Sequence, residues 1–166
     1  MTLTWEERAA QYFETQVLGC PWRTPGEMAA EFFPSTVRTP ALDLIDEALV
    51  KLDRTPNTRL IITMPPQEGK STRVARDFVL WSLSRHPSWK IIGASYGQAL
   101  ATRNGRSVRR LVERYSRRLG FEVAPDNGGV NDWSVKGYEN SGLLSTSIGG
   151  GVTGHKCDLM VIDDPI

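Results

Sequence analysis

Leu60-Ile-Ile-Thr-Met-Pro-Pro-Gln-Glu-Gly-Lys-Ser71 is the stretch that decides the fold. Leu60 to Met64 is a short apolar run of the kind buried on both faces in a parallel sheet. It leads straight into Gly69-Lys70-Ser71, and residues 71–85 then read as a helix stopped before Pro87. A strand, a turn ending in Gly-Lys-Ser and a helix, in that order, make a phosphate-binding loop. Small or proline-shaped residues let successive backbone N–H groups converge on phosphate oxygens at a helix N-terminus, where the dipole favours an anion. Pro66, Gln67, Glu68, Gly69, Lys70, Ser71 and Thr72 are therefore the expected nucleotide-binding residues. Lys70 reaches the β and γ phosphates and the Ser71 hydroxyl coordinates Mg²⁺. Met64 replaces the first glycine of the usual pattern, and Pro65-Pro66 stiffen the loop instead.

A second element strengthens the first. Leu159-Met-Val-Ile162 is an apolar strand ending in Asp163-Asp164-Pro165, the arrangement that brings a carboxylate to the Mg²⁺ beside such a loop. Asp163 is the expected metal residue. Asp164, next along, stands where a general base orients the attacking water, while its plainer role is that of a surface turn residue before a proline. Gly149 and Gly154 repeat the glycine spacing of the loop motif, but His155 and Lys156 occupy the positions that need Lys and Ser or Thr, and the segment precedes a strand. A mobile loop beside the site is the expectation there. With His86 as the one other histidine, His155 does not suggest a metal cluster.

Around these motifs strands and helices alternate. Lys90 to Ser95 reads as a strand, Gln98 to Arg118 as a long helix ended by Gly120, residues 121–137 as an irregular excursion, and Gly142 to Ile148 as a strand. Upstream, Thr4 and Glu7 form a capping box for a helix from Trp5 to Val17. Residues 18–38, broken by glycines and prolines, read as a loop or arm, and Thr39-Pro40 opens an amphipathic helix to about Asp53. The expectation is an α/β, three-layer fold with a mostly parallel sheet flanked by helices. An N-terminal helix and arm over 1–38 would precede one core over 39–166.

Charge and composition narrow the partners. Twenty Lys+Arg against 19 Asp+Glu leave a net charge of +1, so any affinity for a polyanion must be local. It is found in one place. Seven arginines fall within residues 103–118, and Arg103, Arg106, Arg110, Arg114 and Arg117 share one helical face. Val108, Leu111, Val112, Tyr115 and Leu119 form the opposite, burying face. The stripe suits phosphates of DNA or an acidic neighbouring subunit, with a solvated helix face as the plainer alternative. Cys20 and Cys157 match neither a disulfide framework nor a zinc spacing, and two inert buried thiols in a reducing cytoplasm are expected. No apolar run approaches the ~20 residues of a membrane span, and no signal-peptide pattern opens the chain.

Taken with Gly93-Ala-Ser-Tyr-Gly-Gln-Ala-Leu-Ala-Thr-Arg-Asn-Gly-Arg106 and Gly149-Gly-Gly-Val-Thr-Gly154, the two motifs resemble the ATPase half of the large terminase subunit of tailed bacteriophages, over roughly residues 40–166. The resemblance implies an additional-strand, RecA-like P-loop NTPase that hydrolyses ATP with Mg²⁺. It further implies a homo-oligomeric ring, usually a pentamer, which acts in the host cytoplasm. There it works with the portal protein and the small terminase subunit to drive double-stranded DNA into the procapsid. By the same resemblance Lys70 and Ser71 carry over as phosphate and Mg²⁺ residues, Asp163 as the Walker B acid, and Asp164 as the catalytic carboxylate, where many members have glutamate. A coupling motif and an RNase H-type nuclease domain follow in such proteins. Neither lies within these 166 residues, so nuclease activity is not assigned. A RecA-like helicase or remodelling ATPase, and a nucleotide-binding module without turnover, remain open at this level.

Overall fold

Residues 90–95 form the strand on which the sheet is built. In the computed structural model, which describes residues 4–5, 20–150 and 154–165, β1 (Lys90–Ser95) pairs in parallel with β4 (Gly142–Ser147) on one side and with β5 (Leu159–Asp163) on the other. β2 (Val123–Gly128) and β3 (Asp132–Val135) extend the β4 side as an antiparallel pair, giving the order β2-β3-β4-β1-β5. The expected mostly parallel sheet is therefore a mixed one of five strands flanked by helices. Its parallel part is the part formed by β4, β1 and β5.

Two helices begin at threonine caps. α1 (Pro25–Phe32) and α2 (Pro40–Arg54) both open with Thr-Pro: the Thr24 and Thr39 hydroxyls accept from Glu27 N (3.1 Å) and Leu42 N (3.2 Å), and the proline takes the first helical position. α1 lies inside residues 18–38, which the sequence suggested to be loop or arm. Its Thr-Pro start, identical to that of α2, was the available signal. Next comes a helix from Lys70 to Arg85, whose stretch Thr72–Phe78 is π-helical before α3 (Val79–Arg85). α4 (Gln98–Leu119) packs on β4 and β1 and ends at Gly120 in the left-handed conformation. The helix expected over Trp5 to Val17 lies, after its first residue, outside the described residues.

Two segments differ from their sequence reading. Residues 121–137 are not an irregular excursion but the β2–β3 pair, closed on Trp133, which is fully buried. The prolines and glycines there mark a register shift between Val123 and Gly128 rather than an end to pairing. Conversely, residues 60–64 form no strand. Ile62 and Met64 lie against the core and Ile61 is 91% exposed. An inner strand of a parallel sheet has a hydrogen-bonded neighbour at each edge and helices over both faces, and this segment pairs with none of the described strands.

One core collects side chains from almost every element: Trp22, Met28 and Phe32 from the arm and α1, Leu42, Ile45 and Leu49 from α2, Phe78, Trp81 and Leu83 around α3, and Val108 and Val112 from α4. Cys20 is buried in it, whereas Cys157 is exposed, so one of the two expected buried thiols is not. Within the core lies a charged cluster. Arg73 Nη1 donates to Asp46 Oδ2 at 2.5 Å, Arg73 Nε stands 3.5 Å from Asp77, and Arg76 holds the other Asp77 oxygen at 2.7 Å. Gly26 lines this cluster, where a Cβ would overlap both Arg73 and Asp46. Burial pushes the carboxyl groups of Asp46 and Asp77 up, against the pull of Arg73 on the first and Arg76 on the second. The cluster ties α1, α2 and the helix after the loop into one unit. Removing one partner strands a buried charge, so Asp46→Ala is expected to cost about 3–5 kcal/mol in denaturant unfolding, most of it recovered in Asp46→Leu with Arg73→Met.

Candidate active site

The loop residues gather at the C-terminal ends of the parallel strands. Pro66, Gln67 and Glu68 are exposed, Gly69, Lys70 and Ser71 half-buried, and Thr72 exposed, so the loop faces solvent. Gln67 (φ 65°) and Gly69 (φ 87°) both adopt the left-handed conformation. Alternating left- and right-handed residues turn successive N–H groups toward one concavity, the geometry of an anion nest. The Arg73 amide donates to Gly69 O at 2.9 Å and closes the first turn, while the amides before it have no intrahelical acceptor.

The second motif comes to the same place. The β1–β5 register sets Ser95 beside Asp163, and the Asp163 carboxylate, 5% exposed, accepts from Ser71 Oγ at 2.9 Å. Lys70 Nζ lies 3.4 Å from Asp164 Oδ1. Residues 92 and 94 positions apart in sequence are thus in direct contact. Asp164 is left-handed (φ 48°) although it precedes a proline, a position that favours extended backbone. Its carbonyl accepts from the Tyr96 amide at 3.1 Å, which fixes the reversal at the end of β5. A non-glycine residue held this way costs on the order of 1–3 kcal/mol, and such strain clusters where a side chain must be aimed.

Two contacts were not expected from the motifs. Asn104 Nδ2 of α4 stands 3.5 Å from the second Asp163 oxygen, and Gln98 bridges Ser145 O (3.3 Å) and Ser147 N (3.1 Å) at the end of β4. The signal for Asn104 was in the sequence: Asn-Gly is a poor pair for the interior of a long helix. Of the glycine-rich loop, residues 151–153 lie outside the described residues. At its start, Ile148 N donates to Ser95 O at 3.0 Å and the Thr146 hydroxyl donates to Gly150 O at 2.6 Å, beside the end of β1. His155 is exposed, and among the described residues no three His, Cys, Asp or Glu side chains converge on a metal position.

All five arginines of the stripe, Arg103, Arg106, Arg110, Arg114 and Arg117, are exposed. Among the described residues none of the five has an acidic partner, and Arg114 lies over the Tyr115 ring. The two helix arginines off the stripe are engaged: Arg109 pairs with Glu113 at 2.9 Å and Arg118 with Glu31 at 2.6 Å. A groove of about 450 Å³ runs between the C-terminal half of α4 and β2, and holds none of the loop or carboxylate residues. Among the described residues no helix is long and apolar enough to cross a membrane.

The loop geometry is itself open to test. Gln67→Gly, which adopts the left-handed conformation freely, is expected to raise the thermal midpoint slightly, and Gln67→Val to lower it by about 1–2 kcal/mol in stability; equal midpoints for the two would refute the turn described. In comparison with known proteins, no family model, no curated protein and no solved structure matches this chain.

Proposed function

We propose that this chain binds ATP with Mg²⁺ and hydrolyses it, as the ATPase domain of a viral DNA-packaging motor of the large terminase type that translocates double-stranded DNA into a procapsid. The observation that carries the reading is the contact of Ser71 with Asp163, beside that of Lys70 with Asp164, on a solvent-facing loop. A hydroxyl and a carboxylate are hard oxygen donors. They fit Mg²⁺, which takes one or two protein oxygens and fills its remaining positions with water and phosphate oxygens. A cage of three or more acidic or histidine ligands is not needed for that ion, and Ser71 and Asp163 are the residues that would hold it. When bound, Mg²⁺ supplies charge neutralisation on the triphosphate.

The protein groups divide the rest of the work. The loop amides and Lys70 bind phosphate oxygens. Lys70, drawn to the phosphates, leaves the Asp164 carboxylate free to orient a water and accept its proton. The water oxygen bonds to the γ phosphorus, the bond to the β–γ bridging oxygen breaks, and ADP and phosphate leave. Along α4, the five free arginines span roughly 21 Å at the helical rise, enough to follow several phosphates of a duplex. A homo-oligomeric ring on a portal protein, assembled with a small terminase subunit in the host cytoplasm, completes the proposal.

Turnover in Lys70→Ala is expected to fall about 100-fold or more with the fold intact, as read by phosphate release; turnover at the wild-type rate would sink the assignment. Tight ATP binding without phosphate release from the wild type would reduce the chain to a nucleotide-binding module. Replacing Arg106, Arg110 and Arg114 by alanine is expected to weaken duplex binding and to lower the slope of log K against log salt by about one per arginine. An unchanged slope would remove the stripe from the DNA path.

A further inference from the structure

The Asp163 carboxylate is held at both ends. Ser71 Oγ donates to one oxygen, and the Asn104 amide, from the middle of α4, reaches the other. The second contact depends on a close helix–sheet approach. At Gly105 a Cβ would overlap Ser145 of β4, so only glycine lets α4 lie near enough for the preceding residue to reach past β1 to the end of β5. Asn104 and Gly105 are two of the poorer helix formers, placed in the interior of a 22-residue helix. Gly105 lies on the buried face with Ala101, Val108 and Val112, whereas Asn104 is off that face and half-buried.

The space around this contact defines its role. Ser95, Asn104, Gly105, Ser145 and Asp163 line a cavity of about 10 Å³, room for one water at most. That space is too small for a nucleotide group. Asn104 meets Asp163 beside this cavity, at the oxygen other than the one that faces Ser71.

We infer that Asn104 is a positioning residue for Asp163: its amide holds one carboxylate oxygen so that the other stays turned toward Ser71 and a cation placed there. The inference rests on the Mg²⁺–ATP reading above. Partners of this kind, one step behind a metal ligand, fix its orientation, and their loss lowers metal affinity.

The test uses the full chain and a fluorescent ATP analogue, titrated first in EDTA and then with increasing Mg²⁺. A wild type with no Mg²⁺-dependent binding overturns the nucleotide reading itself, and this inference with it. Given such binding, Asn104→Ala is expected to raise the Mg²⁺ concentration for half-maximal effect about tenfold, while affinity in EDTA and the unfolding midpoint stay at wild-type values. Asn104→Gln, which keeps the amide on a longer arm, is expected to show a smaller shift in the same direction. It stands in should the alanine variant fail to fold. An unchanged Mg²⁺ midpoint in a folded variant overturns the positioning role and leaves the nucleotide reading standing. Equal losses with and without Mg²⁺ also overturn it, since they mark a merely structural residue.

Discussion

The site depends on β1 having a parallel partner on each side. Parallel pairing sends the C-terminal ends of β4, β1 and β5 to one edge of the sheet, and an open α/β sheet offers its crevice there. One-residue steps in that register would carry Asp163 to the opposite face of β5, away from Ser71. The alternation along β5 makes such a step costly: Leu159, Val161 and Asp163 are buried, while Met160 and Ile162 face out. The same apolar pattern that places the strand therefore also aims the carboxylate.

The second constraint is the charged cluster beneath the loop. Arg73 lies two residues after Ser71, and its guanidinium is fixed among Asp46, Asp77 and the close backbone at Gly26. Apolar packing alone could hold the helix, since buried ion pairs add little net stability over a well-packed apolar pair. What the cluster adds is direction: a planar guanidinium between carboxylates tolerates few orientations. The helix start, and with it Lys70 and Ser71, is thereby referred to α1 and α2 as well as to the sheet. The π-helical turn over Thr72–Phe78 coincides with this cluster, and such widened turns recur near functional sites.

Much of this was legible in the residues. Caps and periodicity placed α2, α4, β1, β4 and β5 close to their observed limits, because each carries a local signal: Thr-Pro at the start of α2, Gly120 after α4, paired apolar residues in β1 and β4, and an apolar run in β5. The two carboxylates and the loop could be paired from motif spacing, and the structure brings the four side chains together. What local signals could not supply was partnership. Residues 60–64 have the composition of an inner strand, yet strandedness is a property of two chains side by side. Residues 121–137 have turn-rich composition, yet pair across Trp133 because burying that indole offsets the glycines around it. Asn104 carried a local signal, an Asn-Gly pair inside a long helix, but its use depends on how closely α4 approaches β4, a distance set by Gly105 and invisible in helical periodicity.

The outer side of β5 has a consequence for how the molecule behaves in bulk. Among the described residues β5 has one neighbour, so the other row of its amides and carbonyls is unpaired, flanked by Met160 and Ile162 at 43% and 53% exposure. Sheet edges are ordinarily blunted by lysine, proline or a bulge within the strand, and Leu159-Met-Val-Ile-Asp163 has none of these. A five-residue edge of this kind is a template for strand pairing between copies at high concentration. At +1 the chain has almost no long-range repulsion to keep two such edges apart.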